Sequence, residues 1–383
     1  MLLIQFIINS YSNQHILVTG GCGYIGSHTV VELLNLGYEV SIIDNLSNSK
    51  LSVLDRIELI TGRKPTFYQV DCTNQKALQA VFQKGSFDAV IHMAGYKSVS
   101  ESIINPVKYY DNNVVSTLRL IKEMSKNHVR KLIFSSSATV YGSATSPGCT
   151  EDLETGRGIT NPYGQTKYVI EQLLKDVTKA SSDFELSILR YFNPIGNHPS
   201  GLIGEDPATI PTNIVPVLVR VMTGMQDHLD IFGIDYATKD GTCVRDFIHV
   251  VDLARGHIQA LVHSKPGVNI YNLGTGKPHS VLELVTLFES KLGRTLSKRV
   301  VPRRPGDIAI VFANATKAEQ QLNWKAQFSV GDAVDSVLKY LAITQHNTST
   351  TQGYNWLPLI FLYMFILATF LILCATHFSR SKK

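Results

Sequence analysis

The sequence predicts an α/β protein: a doubly wound parallel sheet, a smaller mixed α/β lobe after it, and a C-terminal transmembrane helix. Three observations carry this. A complete strand–turn–helix–strand unit, with a glycine-rich turn, lies near the N-terminus. Short apolar runs then alternate with amphipathic stretches, and each run ends in small or polar residues. Close to the C-terminus is an uncharged apolar run of membrane-spanning length.

In chain order, residues 1–14 read as an N-terminal extension. The apolar run Met1–Ile8 lacks a basic start and a small-residue cleavage site, so a degenerate signal peptide is only the alternative. His15–Thr19 is a buried strand by composition. Gly20-Gly21-Cys22-Gly23-Tyr24-Ile25-Gly26 follows, then an amphipathic helix from Ser27 to about Leu36, ended by Gly37. Glu39–Ile43 is the second strand and closes on Asp44. The glycines permit a tight turn, let the backbone approach a pyrophosphate and place that anion at a helix N-terminus. Asp44 lies 18 residues after Gly26, placed to accept from the adenosine ribose hydroxyls. Its carboxylate repels a 2′-phosphate, so NAD is favoured over NADP. The alternative is a glycine-rich turn with no ligand.

The alternation continues. Thr66–Val70 is a strand ending at Asp71-Cys72, and Asp88–His92 is a strand running into Met93-Ala94-Gly95. Tyr109–Asn113 opens the apolar face of a helix. Lys131–Phe134 is another strand and leads into Ser135-Ser136-Ser137-Ala138-Thr139-Val140-Tyr141-Gly142. Polar residues at strand ends suit ligand binding at the carboxyl edge of such a sheet. A helix starts at Pro162, where a missing N–H costs nothing. Tyr163 and Lys167 are four apart and share one face of it. A phenol, with a pKa of about 10, is a poor base at neutral pH. A nearby ammonium favours the phenolate. Tyr-x-x-x-Lys therefore builds a general base for a hydroxyl proton. The bare spacing fits an ordinary surface helix equally well; the glycine loop and the serine run argue for chemistry.

The first domain is read as 15–193. From about Asn193-Pro194, glycine and proline increase and regular alternation fades until a helix at Val281–Leu292, so 194–343 is read as the second lobe. Residues 344–355 are a polar linker and 356–378 a membrane span, with Tyr354 and Trp356 at one interface and the basic tail 379–383 at the other. A buried core helix is the alternative for 356–378. Of the 383 residues, 44% are hydrophobic, enough for a sizeable core. The net charge of +5 has no dense basic block outside the last residues, which argues against nucleic acid. Five scattered cysteines show no metal-ligand or CxxC spacing, so no metal site is expected and a reducing compartment is.

Taken together, Gly20–Gly26, Phe134–Gly142, Asn161–Lys167 and Arg190-Tyr191-Phe192-Asn193-Pro194 resemble the UDP-glucose (UDP-galactose) 4-epimerase family of extended short-chain dehydrogenases/reductases. The similarity runs from about His15 to slightly past Leu322-Asn323-Trp324; neither terminal extension belongs to the usual family pattern. The resemblance implies an NAD-binding Rossmann domain and a lobe that holds the UDP-sugar. Tyr163 would take the sugar 4-OH proton, Lys167 would lower its pKa and bond the nicotinamide ribose, and Ser137 would bond the same sugar oxygen. With Gly20, Gly23, Tyr24, Ile25 and Gly26 of the loop, the resemblance places Asp44, Asn45, Asp71, Cys72, Met93, Ala94, Gly95, Lys97, Asn112, Tyr163, Lys167 and Phe192 around NAD. It places Asn193, Asn213, Arg245, Arg304, Asp307 and Val311 around the UDP-sugar. Guanidinium forks suit a diphosphate, although a surface salt bridge explains Arg245 and Arg304 as well. It also implies a homodimer.

The implied reaction interconverts UDP-galactose and UDP-glucose through a 4-keto sugar. A 4,6-dehydratase on the same fold is the first rival; such enzymes carry Asp-Glu after the active-site Ser or Thr, where this chain has Ala138-Thr139. An idle, membrane-tethered nucleotide-binding protein is the second. Val311 stands where family members that are confined to plain sugars carry Tyr, which implies that UDP-GalNAc and UDP-GlcNAc also fit. The alternative is that Val311 packs in the core and Phe312 closes the pocket. The apolar tail implies tail anchoring with the catalytic part in the cytosol. The basic end residues favour the opposite topology. Against them, the acceptor sequence Asn45-Leu46-Ser47 would put a glycan on the cofactor site in the lumen.

Overall fold

The computed structural model describes residues 14–143, 148–209, 211–304 and 306–350, with side chains as far as 344. The apolar run 356–378, the basic tail and nearly all of the N-terminal extension lie outside these residues. Among the described residues no helix is long and apolar enough to cross a membrane.

The chain opens β1 (His15–Thr19), α1 (Tyr24–Asn35), β2 (Glu39–Asp44), α2 (Val53–Thr61), β3 (Thr66–Gln69), α3 (Gln75–Lys84) and β4 (Ala89–His92). Two short helices follow, α4 (Val99–Ile104) and α5 (Pro106–Tyr109), then a π-helical turn, Tyr110–Val114, that leads into α6 (Val115–Lys126). Next come β5 (Lys131–Ser137), a 3₁₀ turn (Ala138–Tyr141), α7 (Pro162–Ala180) and β6 (Glu185–Tyr191). All these strands run parallel, in the order β3-β2-β1-β4-β5-β6. The order reverses between β1 and β4, and a crevice opens at such a reversal at the carboxyl ends of the strands.

The rest of the chain supplies β7 (Asn193–Ile195), α8 (Ile214–Met222), β8 (Leu229–Phe232), β9 (Val244–His249), α9 (Val250–Val262), β10 (Gly267–Leu273), β11 (Pro278–Ser280) and α10 (Val281–Leu292). It ends with β12 (Lys298–Val301), β13 (Ile310–Val311), α11 (Thr316–Leu322) and α12 (Val330–Thr350). Two features cross the boundaries expected from sequence. β10 pairs in parallel with β6 and becomes the seventh strand of the first sheet, although it lies within 194–343. α12 continues through the first seven residues of the expected linker. The lobe itself holds a small sheet built on β9, flanked by β11, β13 and β7, and a β8–β12 ribbon.

Burial explains these placements. β1 is IleLeuVal-rich, and Ile16, Leu17 and Val18 are wholly buried, as expected of a strand covered on both faces. One face packs α1 and α9 with Trp324, through Val30, Leu33, Leu253 and Ile258. The other packs α3, α6 and α7, through Leu78, Leu120, Ile170 and Leu174. The lobe has its own core of Leu218, Ile231, Leu284, Phe288 and Val334. α1 starts three residues earlier than the sequence indicates. Gly23 is its N-cap and Ser27 N–H already donates to Gly23 O at 2.9 Å, so the second half of the glycine loop is helical.

Candidate active site

One cavity of about 1500 Å³ runs along the carboxyl edge of the sheet and under the lobe. That exceeds the usual pocket for one small ligand, roughly 300–1,000 Å³, and is large enough for a dinucleotide and a nucleotide-sugar side by side. All the site residues named from sequence line it except Val311. Val311 lies in β13 and packs against the small cluster of Tyr141, Cys149, Phe192 and Ala313.

The glycine loop forms one end. Gly20 has φ +73°, and a Cβ there would lie 2.8 Å from Ala94 N. A Cβ on Gly26 would lie 2.1 Å from Gly20 O. Gly23 caps α1 without a side chain, and no acidic residue occupies the first turn, so the positive end of that helix stays open to an anion. Asp44 is fixed from three directions: Cys22 N–H donates at 3.0 Å, Leu46 N–H at 2.9 Å and Ser49 Oγ at 2.9 Å. Asn45 donates to Asp71 at 3.0 Å, and Thr73 donates to Asp71 from both its N–H and its hydroxyl. Burial pushes the Asp71 carboxyl up, but these hydrogen bonds outweigh it and hold it below the usual range. A fixed carboxylate at the end of β2, a side-chain-free cradle and an open helix end fit NAD. Cys22 and Cys72 also line this end; burial, with Asp44 and for Cys72 also Asp71, raises both thiols to about 12. They are packing groups rather than nucleophiles.

The middle holds the Tyr163/Lys167 pair. Asn161 caps α7 by accepting from Gly164 N–H at 2.8 Å, and Pro162 follows as the first helical residue. This fixes the helix phase, so Tyr163, Lys167 and Glu171 all face β5 and all are buried. Each meets one of three successive serines. Ser137 stands by the Tyr163 phenol and favours its ionised form. Ser135 O accepts from Lys167 Nζ at 2.6 Å. Ser136 Oγ donates to Glu171 Oε1 at 2.6 Å.

The arrangement separates two effects on the phenol. The ammonium sits 5.9 Å from the Tyr163 ring centroid and donates to a carbonyl, so it acts on the phenol through its charge at a distance. Burial pushes the Tyr163 phenol above its ordinary value, and Ser137 is what draws it down. Burial also lowers Lys167 to about 8, against the pull of Glu171.

At the lobe end, Arg245 and Arg304 converge on Asp307. Arg304 makes a forked pair at 3.0 and 3.2 Å, and Arg245 stands 3.6 Å away, donating also to Ile308 O at 2.7 Å. Two guanidiniums and one carboxylate leave a net positive charge facing the cavity, which suits a diphosphate. Asn213 and Lys97 both reach Glu205, at 3.1 and 2.7 Å. Among the described residues no His/Cys/Asp/Glu cluster could hold a metal ion.

Several site residues were missed from sequence. Glu205 joins Lys97 to Asn213 across the cavity. Asn113 accepts from Tyr96 N–H at 2.8 Å and donates to Thr166 at 3.1 Å, locking the π-helical turn to α7. Glu171 binds Arg190 through two bonds, at 2.7 and 3.0 Å, with both side chains essentially sealed from solvent. Only Glu171 left a usable signal: it sits one turn after Lys167, on a helix face that is otherwise apolar.

The family model of the NAD dependent epimerase/dehydratase family matches residues 16–274. The chain is 52% identical over 314 residues to a UDP-glucose 4-epimerase of Bacillus subtilis, covering 82% of this chain and 92% of that one. It is 48% identical over 340 residues to a UDP-glucose 4-epimerase of Dictyostelium discoideum, covering 88% and 98%. Among solved structures, UDP-glucose 4-epimerase from Bifidobacterium longum in complex with NAD⁺ and UDP superposes with a TM-score of 0.84. Sequence identity there is 48%, and 86% of this chain and 98% of that one are covered.

Proposed function

The chain belongs to the NAD dependent epimerase/dehydratase family, and from that premise we propose that it interconverts UDP-galactose and UDP-glucose by epimerising C4. The observation that carries the reading is the buried Ser137–Tyr163 pair between a dinucleotide cradle and a two-arginine clamp, all on one cavity. NAD, when bound, accepts a hydride from the sugar and returns it.

This chain's residues do the rest. Gly20, Gly23 and Gly26 bring backbone N–H groups up to the pyrophosphate. Asp44 holds the adenosine ribose and excludes a 2′-phosphate. Arg245 and Arg304 hold the UDP diphosphate, which leaves the sugar free to present either face while tethered. Tyr163 takes the proton from the 4-OH at its phenol oxygen and gives it back, and Ser137 bonds the same oxygen. Lys167 is held cationic in the same buried layer, where a positive charge favours the phenolate. Ala138-Thr139 offers no carboxyl group for eliminating water, which disfavours dehydration. The experiment is a mass and absorbance assay of purified protein for bound NAD, followed by turnover of UDP-galactose. Protein that carries NAD but gives no UDP-glucose would remove the epimerase reading.

The substrate range extends, in this proposal, to UDP-GalNAc and UDP-GlcNAc. Val311 packs against the cluster that contains Phe192, itself a wall of the cavity, so its size acts one layer behind the wall. Val311→Tyr would push that wall inward against an acetamido group. The expected result is a fall in kcat/KM for UDP-GalNAc of about 10–200-fold, the usual range for a few lost or clashing groups, with UDP-galactose little changed. Equal effects on both sugars, or no native turnover of UDP-GalNAc, would sink the idea.

Two assembly features complete the proposal: a homodimer, and tail anchoring through 356–378 with the catalytic part on the cytosolic side. Support for the dimer is apolar surface on adjoining helices: Ile104, Val107, Leu118 and Val169 are exposed. Support for the anchor is the uncharged apolar run. Carbonate-washed membranes should retain the full chain, and light scattering of the solubilised protein should give twice the chain mass. Release by carbonate, or a monomer mass, would overturn the respective feature.

A further inference from the structure

Three consecutive serines at the end of β5 meet three α7 residues spaced four apart. Two of these contacts hold Tyr163 and Lys167. The third holds Glu171, which touches neither cofactor nor sugar sites and does not line the cavity. We propose that Glu171 is a positioning residue that keeps Lys167 charged beside Tyr163, and that the buried Glu171–Arg190 pair thereby sets the alkaline limit of the reaction. The proposal rests on the epimerase reading above.

The argument is one of charge in a sealed space. Lys167, Glu171 and Arg190 are 5%, 0% and 1% exposed. Of the other groups facing them from neighbouring elements, His92 and the tyrosines are neutral, Glu101 is paired, and Glu151 keeps its charge but is only partly buried. From β4, His92 is kept neutral, brought to about 3 by burial and by Lys167. From β6, Tyr191 is held protonated by burial and by Tyr163. From the 3₁₀ turn, burial holds Tyr141 protonated; its hydroxyl accepts from Arg190 at 3.1 Å and donates to Asn272 at 2.7 Å. On the α4–α5 side, Glu101 is tied to Lys108 at 2.6 Å and Tyr109 at 2.9 Å. Glu151 accepts from Asn272 N–H at 2.7 Å. That leaves two cations and one anion sealed from solvent.

Without Glu171, two cations would share a dry site. A guanidinium cannot give up its proton there, and an ammonium can. Lys167 would therefore be the group to discharge. Its hydrogen-bond partner among the described residues, the Ser135 carbonyl, does not compensate a full charge. Glu171 also receives Ser136 and both Arg190 bonds, so its carboxylate is fixed and cannot swing toward Lys167. It acts through its field, and a fixed field gives a constant bias.

The test uses the full chain with its cofactor and Lys 13Cε labelling, with the Lys167 signal assigned by its loss in Lys167→Met. In Glu171→Gln, the Lys167 titration midpoint should fall by about one pH unit, the size of a nearby unit charge at moderate effective dielectric. The alkaline limb of the UDP-galactose turnover profile should move down with it. Glu171→Asp, which keeps the charge, should restore both. Because Glu171→Gln strands a buried guanidinium, the double variant Glu171→Gln/Arg190→Met serves if the single one does not fold; its midpoint should also fall, though less far, because Glu171 is the charge that acts most on Lys167. An unmoved midpoint in a folded glutamine variant overturns the proposal. So does a fall equally large in Glu171→Asp, which would mean lost packing rather than lost charge. If native protein gave no turnover while the midpoint still fell in the glutamine variants, the positioning of Lys167 would stand and the epimerase reading would fail.

Discussion

Turnover of UDP-galactose should drop by about 10²–10⁴-fold in Tyr163→Phe, the range expected when a positioned general base is removed, while the purified protein keeps its NAD. The substitution is nearly shape-neutral. Tyr163 is 9% exposed and its ring fills a slot against β5 that a phenyl ring fills equally. What disappears is the hydroxyl and its polar interaction with Ser137. Ser137 Oγ still accepts from Thr139 N–H at 3.2 Å, so the serine keeps a partner and the fold should lose only about 1 kcal/mol. The dinucleotide cradle is built by the glycine loop and by Asp44, neither of which contacts Tyr163. Cofactor retention is therefore the internal control, read as bound NAD per chain, and kcat is the readout. Near-native kcat in a variant with full NAD would show that another group takes the 4-OH proton. Lost NAD would show that Tyr163 holds the cofactor as well as the proton.

The first sheet was legible because its information is local. β1 is five residues of apolar composition followed by glycines, and strand, turn and acid fall at spacings that only a βαβ unit satisfies. The caps were legible for the same reason: Asn161-Pro162 ahead of an apolar face names its own helix start. β10 was not legible as part of that sheet. Its pairing with β6 joins residues about 80 positions apart across the whole of β7–α9, and no local pattern records such a return. The early start of α1 was missed because glycine has low helix propensity; there the tertiary contact of Gly26 with the Gly20 backbone overrides propensity.

The site divides along the same line. Residue types with one obvious chemistry, such as Tyr163, Lys167, Asp44 and Arg304, were identified, and all line the cavity. The buried polar scaffold behind them was not. Glu171 and Arg190 look like surface residues by type, and their burial depends on finding each other 19 positions apart. The source of the Tyr163 shift was likewise hidden. An i, i+4 spacing puts an ammonium near a phenol, but only the fold reveals that its hydrogen bond goes to Ser135 O and that its charge is left to act at a distance. Val311 shows the reverse limit. Spacing from Asp307 assigned it to the pocket wall, whereas the pairing of β13 with β9 places it against Phe192, behind that wall.

Gly26→Ala should reduce bound NAD at least about tenfold. A Cβ at this position would lie 2.1 Å from Gly20 O, 2.9 Å from Gly20 C and 2.9 Å from Gly21 Cα. All three are backbone atoms of the turn, so no side chain can rotate away to make room. Either the loop opens or α1 shifts along its axis. Gly20 cannot yield easily, because its N–H donates to Ile43 O at 2.7 Å and its own Cα side is closed by Ala94. α1 is held from behind by α9 through Val30, Leu33 and Leu253, all fully buried. The turn is therefore the part that moves, and it carries the N–H groups that would meet the pyrophosphate. A displacement of a few tenths of an ångström there lengthens several charge-assisted bonds at once, and each is worth about 1.5–3 kcal/mol when well formed. Losing the equivalent of one such bond already accounts for a drop in affinity of about tenfold or more. The measurement is NAD per chain after dialysis, with circular dichroism to establish that the sheet still forms. A control at Gly62, where a Cβ would meet nothing within 4 Å but φ is +67°, separates crowding from backbone strain. Gly62→Ala should cost about 1 kcal/mol of stability and leave NAD in place. Full NAD retention in folded Gly26→Ala would mean that the close packing of loop on helix is not what shapes the cofactor cradle.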